Sequence, residues 1–428
     1  MSPFDPASAF VLALLALAPL ALAGVALLNT GLGRSRSAAQ SILGSLAIVA
    51  VALIAFAVAG ASLAGWLPAA NGGWSLTVHL AGKPWNWTGL SPFLLSGLGS
   101  APMPAQFGLL FEFLAVALAA LIPWGAGADR LRLTGGMAIA ALLAVLVFPL
   151  AAHWSWGGGW LAQLGVNFGL GAGFLDTGGA GLIHLLGGLT ALAVIWIAGP
   201  RRGKFPREGL ATAMPGHNAV YVVFGALLAL AGWIAFNLAG ALLWMRGSQA
   251  PLAVTALNTL LSAASALVAT FIVTRVRFGK PDASLCANGW MAGLVVSSAT
   301  AALLAPAAAL FSGAVAGIAT PLLVEVLELA LSIDDPSGAI SVHLAGGLWG
   351  LLAAGLFAPA PGQFVAQLVG IATLFGLVFP AVYLLLAILD RFVPFRADAD
   401  GERMGMDLHE LGGGAYPEFV IHRDESYR

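Results

Sequence analysis

Charged residues are scarce in this chain: they account for 9% of its 428 residues, whereas hydrophobic residues account for 60%. Ordinary soluble domains carry roughly 25% charged residues. The composition therefore excludes a typical soluble domain and indicates a membrane protein. The net charge of −1 argues against nucleic-acid binding. The single cysteine, Cys286, permits no internal disulfide.

Sequence motifs of common enzymes are absent as well. The chain contains no H-E-x-x-H, G-x-S-x-G, Walker or C-x-x-C pattern, so we expect neither an enzyme nor a bound cofactor. The first nine residues contain Asp5 but no Lys or Arg. Because a cleaved signal peptide needs a basic start, we expect the first apolar run to be retained as a helix.

Long apolar runs are what the chain has instead. Eleven of them are about 20 residues long, the length that an α-helix needs to cross the hydrocarbon core. The sequence therefore predicts an all-α polytopic membrane protein with eleven transmembrane helices. The runs centre on residues 9–29, 40–63, 104–125, 134–153, 179–199, 215–238, 251–274, 286–303, 306–330, 338–358 and 364–389.

The basic residues predict the orientation of these helices. With the N-terminus outside and eleven spans, sixteen of the eighteen Lys and Arg residues fall on the inner side; only Lys83 and Arg246 fall outside. Loops that remain in the cytoplasm carry an excess of Lys and Arg. We therefore predict a multi-pass protein of the cell membrane, the inner membrane in a bacterium, with its N-terminus outside and its C-terminus inside.

One sequence pattern occurs twice. Residues 176–189 read D-T-G-G-A-G-L-I-H-L-L-G-G-L, and residues 335–348 read D-P-S-G-A-I-S-V-H-L-A-G-G-L. The two predicted helices run in opposite directions, so helices 1–5 and 6–10 form an inverted repeat, and helix 11 is added to it. The pseudo-twofold axis of such a repeat should bring the two histidines, His184 and His343, together near the middle of the membrane.

The duplicated histidines and aspartates have more than one interpretation. A polar side chain in hydrocarbon lacks water partners and is costly, so two duplicated histidines indicate function rather than packing. An aspartate at the head of a helix is sufficiently explained as an N-cap. We favour this role for Asp335 and expect a mixed role for Asp176. A metal site is not expected, because the topology places these two aspartates near opposite faces of the membrane.

Several segments resemble the ammonium transporter (Amt/Rh) family. The resemblance covers nearly the whole chain, and the segments keep the family's order, spacing and topological placement. They are A-H-W-S-W-G-G-G at 152–159, D-T-G-G-A-G-L-I-H at 176–184, F-N at 236–237, G-K-P at 279–281, D-D-P-S-G-A-I-S-V-H at 334–343, G-M-D at 405–407 and A-Y at 415–416.

The resemblance implies roles for individual residues. It implies that His184 and His343 are twin pore histidines that share a hydrogen bond. Asp176 would then lie near the outer pore mouth, Trp156 would face the ammonium ion through cation–π attraction, and Phe236 would be one of two stacked phenylalanines that close the pore. The resemblance further implies a homotrimer with one pore per subunit and, as in many bacterial members, a PII-type signalling partner on the cytoplasmic face.

The chain departs from the family pattern in the outer vestibule. Phe111-Glu112 stands where the family usually has Phe-Gln. The second gate phenylalanine falls on Ala115, and Gly240 replaces a vestibule serine. Phe111 or Phe113 is expected to take the place of the missing ring. Glu112 has two interpretations: a protonated carboxyl that hydrogen-bonds a neighbouring helix as glutamine would, or an ionised carboxylate that attracts the cation.

The sequence thus predicts a channel or transporter for ammonium and ammonia, surrounded by membrane lipid. Cation recruitment, loss of the proton and passage past the histidine pair are the expected steps. Residues 1–390 are predicted to form the transmembrane domain, and residues 391–428 a cytoplasmic tail that docks on the basic inner loops. Two alternatives remain open: an ammonium sensor of the same family, and an Rh-type channel for another small molecule such as methylammonium.

Overall fold

The computed structural model describes residues 6–66, 74–245 and 251–416. Three parts of the sequence predictions fall outside these described residues. They are Asp5 in the N-terminal segment, Arg246, which was counted on the outer side in the prediction of orientation, and residues 417–428 at the end of the predicted tail.

Long helices carry the fold. In the described residues, ten helices are long and apolar enough to cross a membrane. A further helix, α8, has 18 residues and includes Asn288 and several hydroxyl side chains, and most of its length is buried. The arrangement is consistent with eleven predicted spans. The helices are α1 (Pro6–Leu32), α2 (Ser35–Ala64), α3 (Met103–Ala126), α4 (Leu133–Ser155), α5 (Ala180–Ala198), α6 (Ala219–Trp244), α7 (Leu252–Phe278), α8 (Ala283–Thr300), α9 (Pro306–Ala330), α10 (Ala339–Phe357) and α11 (Gln363–Phe392).

A two-stranded hairpin between α2 and α3 is missing from the all-α prediction. Its strands, β1 (Trp74–Leu80) and β2 (Lys83–Leu90), pair in antiparallel fashion. Ala81 and Gly82 between them have positive φ angles of 53° and 70°, as in the type I′ turns that match strand twist. β2 packs against the last turns of α4. The hairpin therefore covers one end of the helix bundle.

Close backbone contact joins α1 to α6, the first helices of the two predicted repeats. A Cβ atom at Gly24 would lie 2.6 Å from the Gly225 carbonyl oxygen, and a Cβ at Gly225 would lie 2.6 Å from the Gly24 carbonyl oxygen. A larger side chain at either position would force the helices apart. The contact is reciprocal, as expected for equivalent helices on a pseudo-twofold axis.

The helices that carry the duplicated pattern, α5 and α10, cross in the same reciprocal way. A Cβ at Gly188 would lie 2.6 Å from the Leu344 backbone nitrogen, and a Cβ at Gly347 would lie 2.8 Å from the Leu185 backbone nitrogen. Gly188 and Gly347 are equivalent positions of the pattern, as are Leu185 and Leu344. These reciprocal contacts are consistent with the predicted inverted repeat and with an axis between these two helices.

Arginine-rich segments meet at one end of the bundle, which we call the inner end. Arg36 at the start of α2, Arg132 before α4 and Arg202 after α5 all contact the segment that follows α11. The β-hairpin lies at the opposite, outer end, because it follows α2. This grouping agrees with the predicted alternation of the spans, and the sidedness in the membrane stays a prediction.

Candidate functional site

Each copy of the duplicated pattern begins its helix with a glycine in the left-handed conformation. Gly179 precedes α5 with a φ angle of 91°, and Gly338 precedes α10 with a φ angle of 75°. Glycine adopts these angles without steric cost. The chain can therefore turn sharply into each helix, and the histidines follow five residues later.

The aspartates of the pattern cap the same two helices. Asp176 Oδ2 accepts hydrogen bonds from the N–H groups of Gly181 and Leu182 at 3.0 and 2.8 Å. Asp335 accepts from three N–H groups in the first turn of α10, at 2.7 to 3.1 Å, and from the Ser341 hydroxyl at 3.3 Å. These contacts supply partners for N–H groups that a helix start leaves unpaired.

The first turn of α5 and of α10 is wider than an ordinary α-helical turn. The Gly179 carbonyl accepts from the N–H groups of both Ile183 and His184, at 2.9 and 3.1 Å. The Gly338 carbonyl accepts from the two equivalent residues at 2.8 and 3.4 Å. The longer bond, spanning five residues, gives a π-type turn, a distortion that is frequent at functional sites. Both histidines therefore occupy the same distorted position.

The structure brings the two predicted histidines into contact. His184 Nδ1 and His343 Nδ1 lie 3.2 Å apart, a hydrogen-bond distance, and the two side chains are only 1% and 6% exposed. One Nδ1 must donate and the other must accept. When both rings are neutral, one Nε2 is therefore an acceptor and the other carries a proton and donates. The pair offers a small molecule one acceptor and one donor.

A tryptophan that the sequence did not single out fixes one of these rings. Trp233 of α6 stacks on His184 with ring centroids 5.0 Å apart and planes 9° apart. Its indole N–H donates to Ser298 Oγ at 3.0 Å, so α8 fixes the tryptophan in turn. The chain contains thirteen tryptophans, and nothing in the sequence distinguishes Trp233 from the others.

His153 is buried too, but it does not join the pair. Its Nδ1 donates to the Ala64 carbonyl oxygen at 2.9 Å, and its Nε2 lies 3.2 Å from the Asn86 side chain. These contacts connect α4 with α2 and β2. His153 therefore has a packing role at the outer end.

Four aromatic rings pack together beside the Asp176 loop. We call them the aromatic cluster: Phe111, Trp156, Phe236 and Trp244. The Phe111 ring packs edge-on against Trp156, Phe236 and Trp244, at centroid distances of 5.1, 5.3 and 5.8 Å. The Trp156 indole N–H donates to the Asp176 carbonyl oxygen at 2.6 Å. The cluster is thereby attached to the segment that caps α5, and three of its members were predicted site residues.

Trp244 is the member that the sequence analysis missed. It lies over Trp156 with centroids 5.6 Å apart and planes only 7° apart, and Trp156 is 4% exposed. One face of the ring that was expected to meet the cation is therefore covered by a second indole. A usable signal was present: Trp244 follows Phe236 by eight residues, so both project from similar faces of one helix.

The structure explains two departures from the family pattern. A Cβ atom at Gly240 would lie 1.8 Å from the Thr177 carbonyl oxygen, so the backbone fills the space where a serine side chain would stand. Phe111 supplies the second ring of the aromatic cluster. Phe113 does not, because its ring packs against Phe56 at 4.9 Å. Of the two expected substitutes, the structure therefore places Phe111 in the cluster.

A buried ion-pair network lies at the inner end, directly before α10. Arg201 donates to both carboxylate oxygens of Asp334 at 2.9 Å and to Asp129 Oδ2 at 3.0 Å, and Arg130 lies 3.5 Å from Asp334. Burial acts to raise the pKa of Asp334, but the hydrogen bonds and charges of Arg201 and Arg130 hold it below its ordinary value. Burial lowers the pKa of Arg130 to about 10, so this guanidinium remains charged at neutral pH.

The segment after α11 docks on the inner end, as the sequence predicts for the tail. The Asp407 carboxylate accepts from the N–H groups of Ala39 and Gln40 at 3.1 and 2.7 Å. Glu410 accepts from the Leu133 N–H at 2.9 Å. Carboxylates are favourable at helix N-termini because they oppose the positive end of the helix dipole. The tail therefore supplies the missing N-terminal partners of α2 and α4.

The architecture and the site together define a class of protein. Helices in two inverted halves, with a duplicated polar group where the halves meet, form the plan of membrane channels and secondary transporters with one central path. The chain belongs to the ammonium transporter family: the family model described as "Ammonium Transporter Family" matches residues 9–416. The family predicted from the short motifs is confirmed.

Individual relatives support this assignment. "Ammonium transporter Amt2" of Archaeoglobus fulgidus is 32% identical over 423 residues, which are 93% of this chain and 85% of that protein. An "Ammonium transporter" of Bacillus subtilis is 31% identical over 353 residues, 78% of this chain and 81% of that protein.

Solved structures share the fold. One described as "Sensor Amt Protein" has a TM-score of 0.84 and 25% identity, covering 94% of this chain and 98% of that one. Candida albicans Mep2 has a TM-score of 0.77 and 24% identity, covering 97% of this chain and 91% of that one.

Proposed function

We propose that this chain moves ammonium across the cell membrane by passing ammonia through a path between its two halves, past the His184–His343 pair. The observation that supports this most is the 3.2 Å contact between the two Nδ1 atoms. Buried polar groups are costly in an apolar interior. A pair on the symmetry axis, at equivalent positions of a duplicated pattern, is better explained by conduction than by packing.

The chemistry of the pair suits ammonia better than a metal cation. A bare cation in the middle of the bilayer costs several kcal/mol, so ammonium should give up a proton before it reaches the histidines. Ammonia can donate an N–H to the free Nε2 and accept from the protonated Nε2. Sodium and potassium ions have no proton to lose and make no such hydrogen bonds. Selectivity then follows from the loss of charge.

The outer end of the path carries the groups proposed to recruit the cation: Trp156, Phe236, Phe111, Glu112 and Asp176. Asp176 Oδ1 is buried and has no hydrogen-bond partner in the described residues. It can therefore stabilise positive charge close to the aromatic cluster. Trp244 covers one face of Trp156, so a cation would reach that face only when Trp244 moves aside.

Further parts of the proposal concern assembly and regulation. We propose a homotrimer with one path per subunit, a transmembrane domain of residues 1–390, and a cytoplasmic tail of residues 391–428 that can respond to a PII-type protein. The docking of Asp407 and Glu410 at the starts of two helices supports a regulatory tail. The chain acts as a transporter, and we assign it no catalysed reaction.

Ammonium pulses on the protein reconstituted in liposomes test this proposal. On a solid-supported membrane we expect saturable currents with ammonium, smaller ones with methylammonium, and none with equal pulses of potassium. A liposome pH assay with entrapped dye reports ammonia movement that carries no charge. Binding of ammonium in a protein that shows neither signal would contradict transport and favour the sensor alternative.

A further inference from the structure

We propose that Glu112 is the carboxylate that binds ammonium and accepts its proton on the outer side of the histidine pair. The inference rests on the proposed transport of ammonium and adds to it a residue that departs from the family's usual glutamine. It begins from the burial of this side chain and from the groups that surround it.

The Glu112 carboxyl is enclosed, and in the described residues neither of its oxygens has a hydrogen bond of normal geometry. The residue is 0% exposed, and neither Oε1 nor Oε2 has a partner in the described part of the chain. A protonated carboxyl that replaced glutamine as a structural group would donate its O–H to a neighbouring helix. No such bond is present among the described residues, and a buried polar group left unpaired costs about 1–3 kcal/mol. The structural interpretation of Glu112 therefore lacks its central contact.

Two hydrogen-bond donors near Glu112 are also unpaired. The Trp66 indole interacts with the Glu112 carboxyl without forming a hydrogen bond of normal geometry, and the Trp244 indole N–H has no partner either. Trp66 and Trp244 pack together with centroids 5.6 Å apart. Both lie over Gly108, one turn before Glu112, where a Cβ would come within 2.7 and 3.1 Å of their rings. Unpaired buried polar groups that gather in one place indicate a bound molecule or ion.

This group of residues lies beside the proposed path. Phe111 directly precedes Glu112 and contacts Trp156 and Phe236. Other means of recruiting a cation here are reduced, because the backbone fills the place of a side chain at Gly240. An ammonium ion supplies N–H donors and positive charge to the two free oxygens. Such charge-assisted hydrogen bonds are about twice as strong as neutral ones.

The proton transfer is balanced within this site. One N–H bond of ammonium breaks, its electron pair stays on nitrogen, and the proton forms an O–H bond on the Glu112 carboxylate. The products are ammonia and a neutral carboxyl. Ammonia continues to the histidine pair, and the carboxyl then releases its proton to water, which restores the carboxylate. The Trp66 indole interacts with the carboxyl, and donation from its N–H would stabilise the ionised form.

The proposal predicts a dependence on external pH. The carboxylate attracts ammonium only when ionised, so its contribution exists above the pKa of Glu112 and is lost as pH falls through that pKa. Among the described residues Glu112 forms no ion pair, and the side chain that interacts with it, the Trp66 indole, does not titrate. His184, His343 and Asp176 lie further along the path. These three residues are present in both the wild type and the Glu112 variant. A difference in pH dependence between the two proteins therefore does not come from them.

Glu112→Gln in the full chain is the decisive variant, because it keeps shape and hydrogen bonding but cannot ionise. On a solid-supported membrane we expect its apparent affinity for ammonium to be about tenfold weaker or more at an external pH above the pKa of Glu112. The loss of affinity that the wild type shows on acidification should be absent from it. Glu112→Asp keeps a carboxylate and should keep the pH dependence. Glu325→Gln removes a carboxyl from the partly exposed ion pair with Arg277 at the inner end and should behave as wild type.

Size-exclusion profiles and thermal unfolding in detergent show whether each variant is folded. Wild-type affinity and wild-type pH dependence in a folded Glu112→Gln protein would overturn the proposal. Slower transport with unchanged affinity at every pH would also overturn it, because that pattern belongs to a structural role. A wild type that moves no ammonium overturns the proposed function itself, so the two failures are distinguishable.

Discussion

Asp176 and Asp335 stand at the same position in the two copies of the pattern, yet their hydrogen bonding differs. Asp335 uses both carboxylate oxygens to bind the first turn of α10. Asp176 uses Oδ2 for the first turn of α5 and leaves Oδ1 without a partner in the described residues. The inner copy is a complete helix cap beside an ion-pair network, whereas the outer copy keeps an acceptor near aromatic rings. The inverted repeat provides two equal scaffolds, and in the proposed function the copy with the free acceptor is the one that receives the cation.

Removing what the two ends share should have the largest effect. In His184→Ala and in His343→Ala, we expect selective ammonium transport to be lost or replaced by a leak that also passes potassium, because no ring remains to complete the shared hydrogen bond. Solid-supported-membrane currents with ammonium and with potassium measure both outcomes. His153→Gln alters a buried histidine outside the pair and should remain selective. Wild-type flux and selectivity in both alanine variants would contradict the role of the pair.

The inner network should dominate stability rather than transport. Asp334→Asn removes the carboxylate that Arg130 faces and one of the two carboxylates that Arg201 binds. Breaking a buried pair costs about 3–5 kcal/mol. Thermal unfolding in detergent measures this loss, and Glu325→Gln, in the partly exposed pair with Arg277, should cost about 1 kcal/mol or less.

Acid should reproduce part of the Asp334→Asn effect. The folded pKa of Asp334 is held below its ordinary value, so its stabilisation is fully present above the unfolded pKa of about 3.9 and is lost as pH falls through the folded pKa. The difference in stability between wild type and Asp334→Asn should therefore shrink below about pH 4. A constant difference down to lower pH would contradict this assignment of charge.

Matched changes at the two caps sharpen the comparison further. An asparagine at 176 keeps one acceptor oxygen for the two N–H groups, whereas at 335 its amide nitrogen would face N–H donors. Asp335→Asn should therefore lose about 1 kcal/mol of stability and keep most of its transport. Asp176→Asn should keep its stability and transport more slowly, because the free charged oxygen is gone. The opposite pattern in unfolding and flux assays would show that the inner aspartate carries the substrate role.

The tail should have the smallest effect. Ending the chain after Pro394 removes Asp407 and Glu410 from the starts of α2 and α4, and each carboxylate contributes about 0.3–1 kcal/mol at a helix N-terminus. We expect a folded protein whose transport is reduced or no longer regulated. Asp407→Asn is the matched point change and should show part of the same effect. Transport that is unchanged, with an unchanged response to a PII-type protein, would count against regulation by the docked tail.

The helices were predictable because each span must be long and apolar. The boundaries of α5 and α10 agree with the prediction within one residue, since a glycine and a capping aspartate mark each start. The meeting of His184 and His343 was also predictable, because a repeat that is duplicated and inverted leaves equivalent residues on one axis. Both inferences rest on patterns that lie within one sequence segment or that compare the two copies of a duplicated segment.

Contacts between unrelated segments were not predictable. Trp233 on His184, Trp244 on Trp156 and Trp66 near Glu112 each depend on the packing of helices far apart in sequence, and no motif marks them. The hairpin of β1 and β2 was missed because hydropathy reports spans and ignores short strands between them. The wide first turns of α5 and α10 were missed because a π-type turn has no residue pattern of its own.

The single proton shared by the two Nδ1 atoms gives a symmetric scaffold an asymmetric centre. At any moment one ring offers an acceptor and the other a donor, and a shift of that proton by roughly 1.2 Å along the 3.2 Å contact, with matching exchange at the Nε2 atoms, interchanges them. The two states offer the same pair of hydrogen-bonding groups, although Trp233 stacks on only one of the two rings. In the proposed function, such a centre selects the molecule that passes but does not set the direction in which it passes. The direction of net flow must then come from the concentration gradient, and any control of it must come from the two unlike mouths.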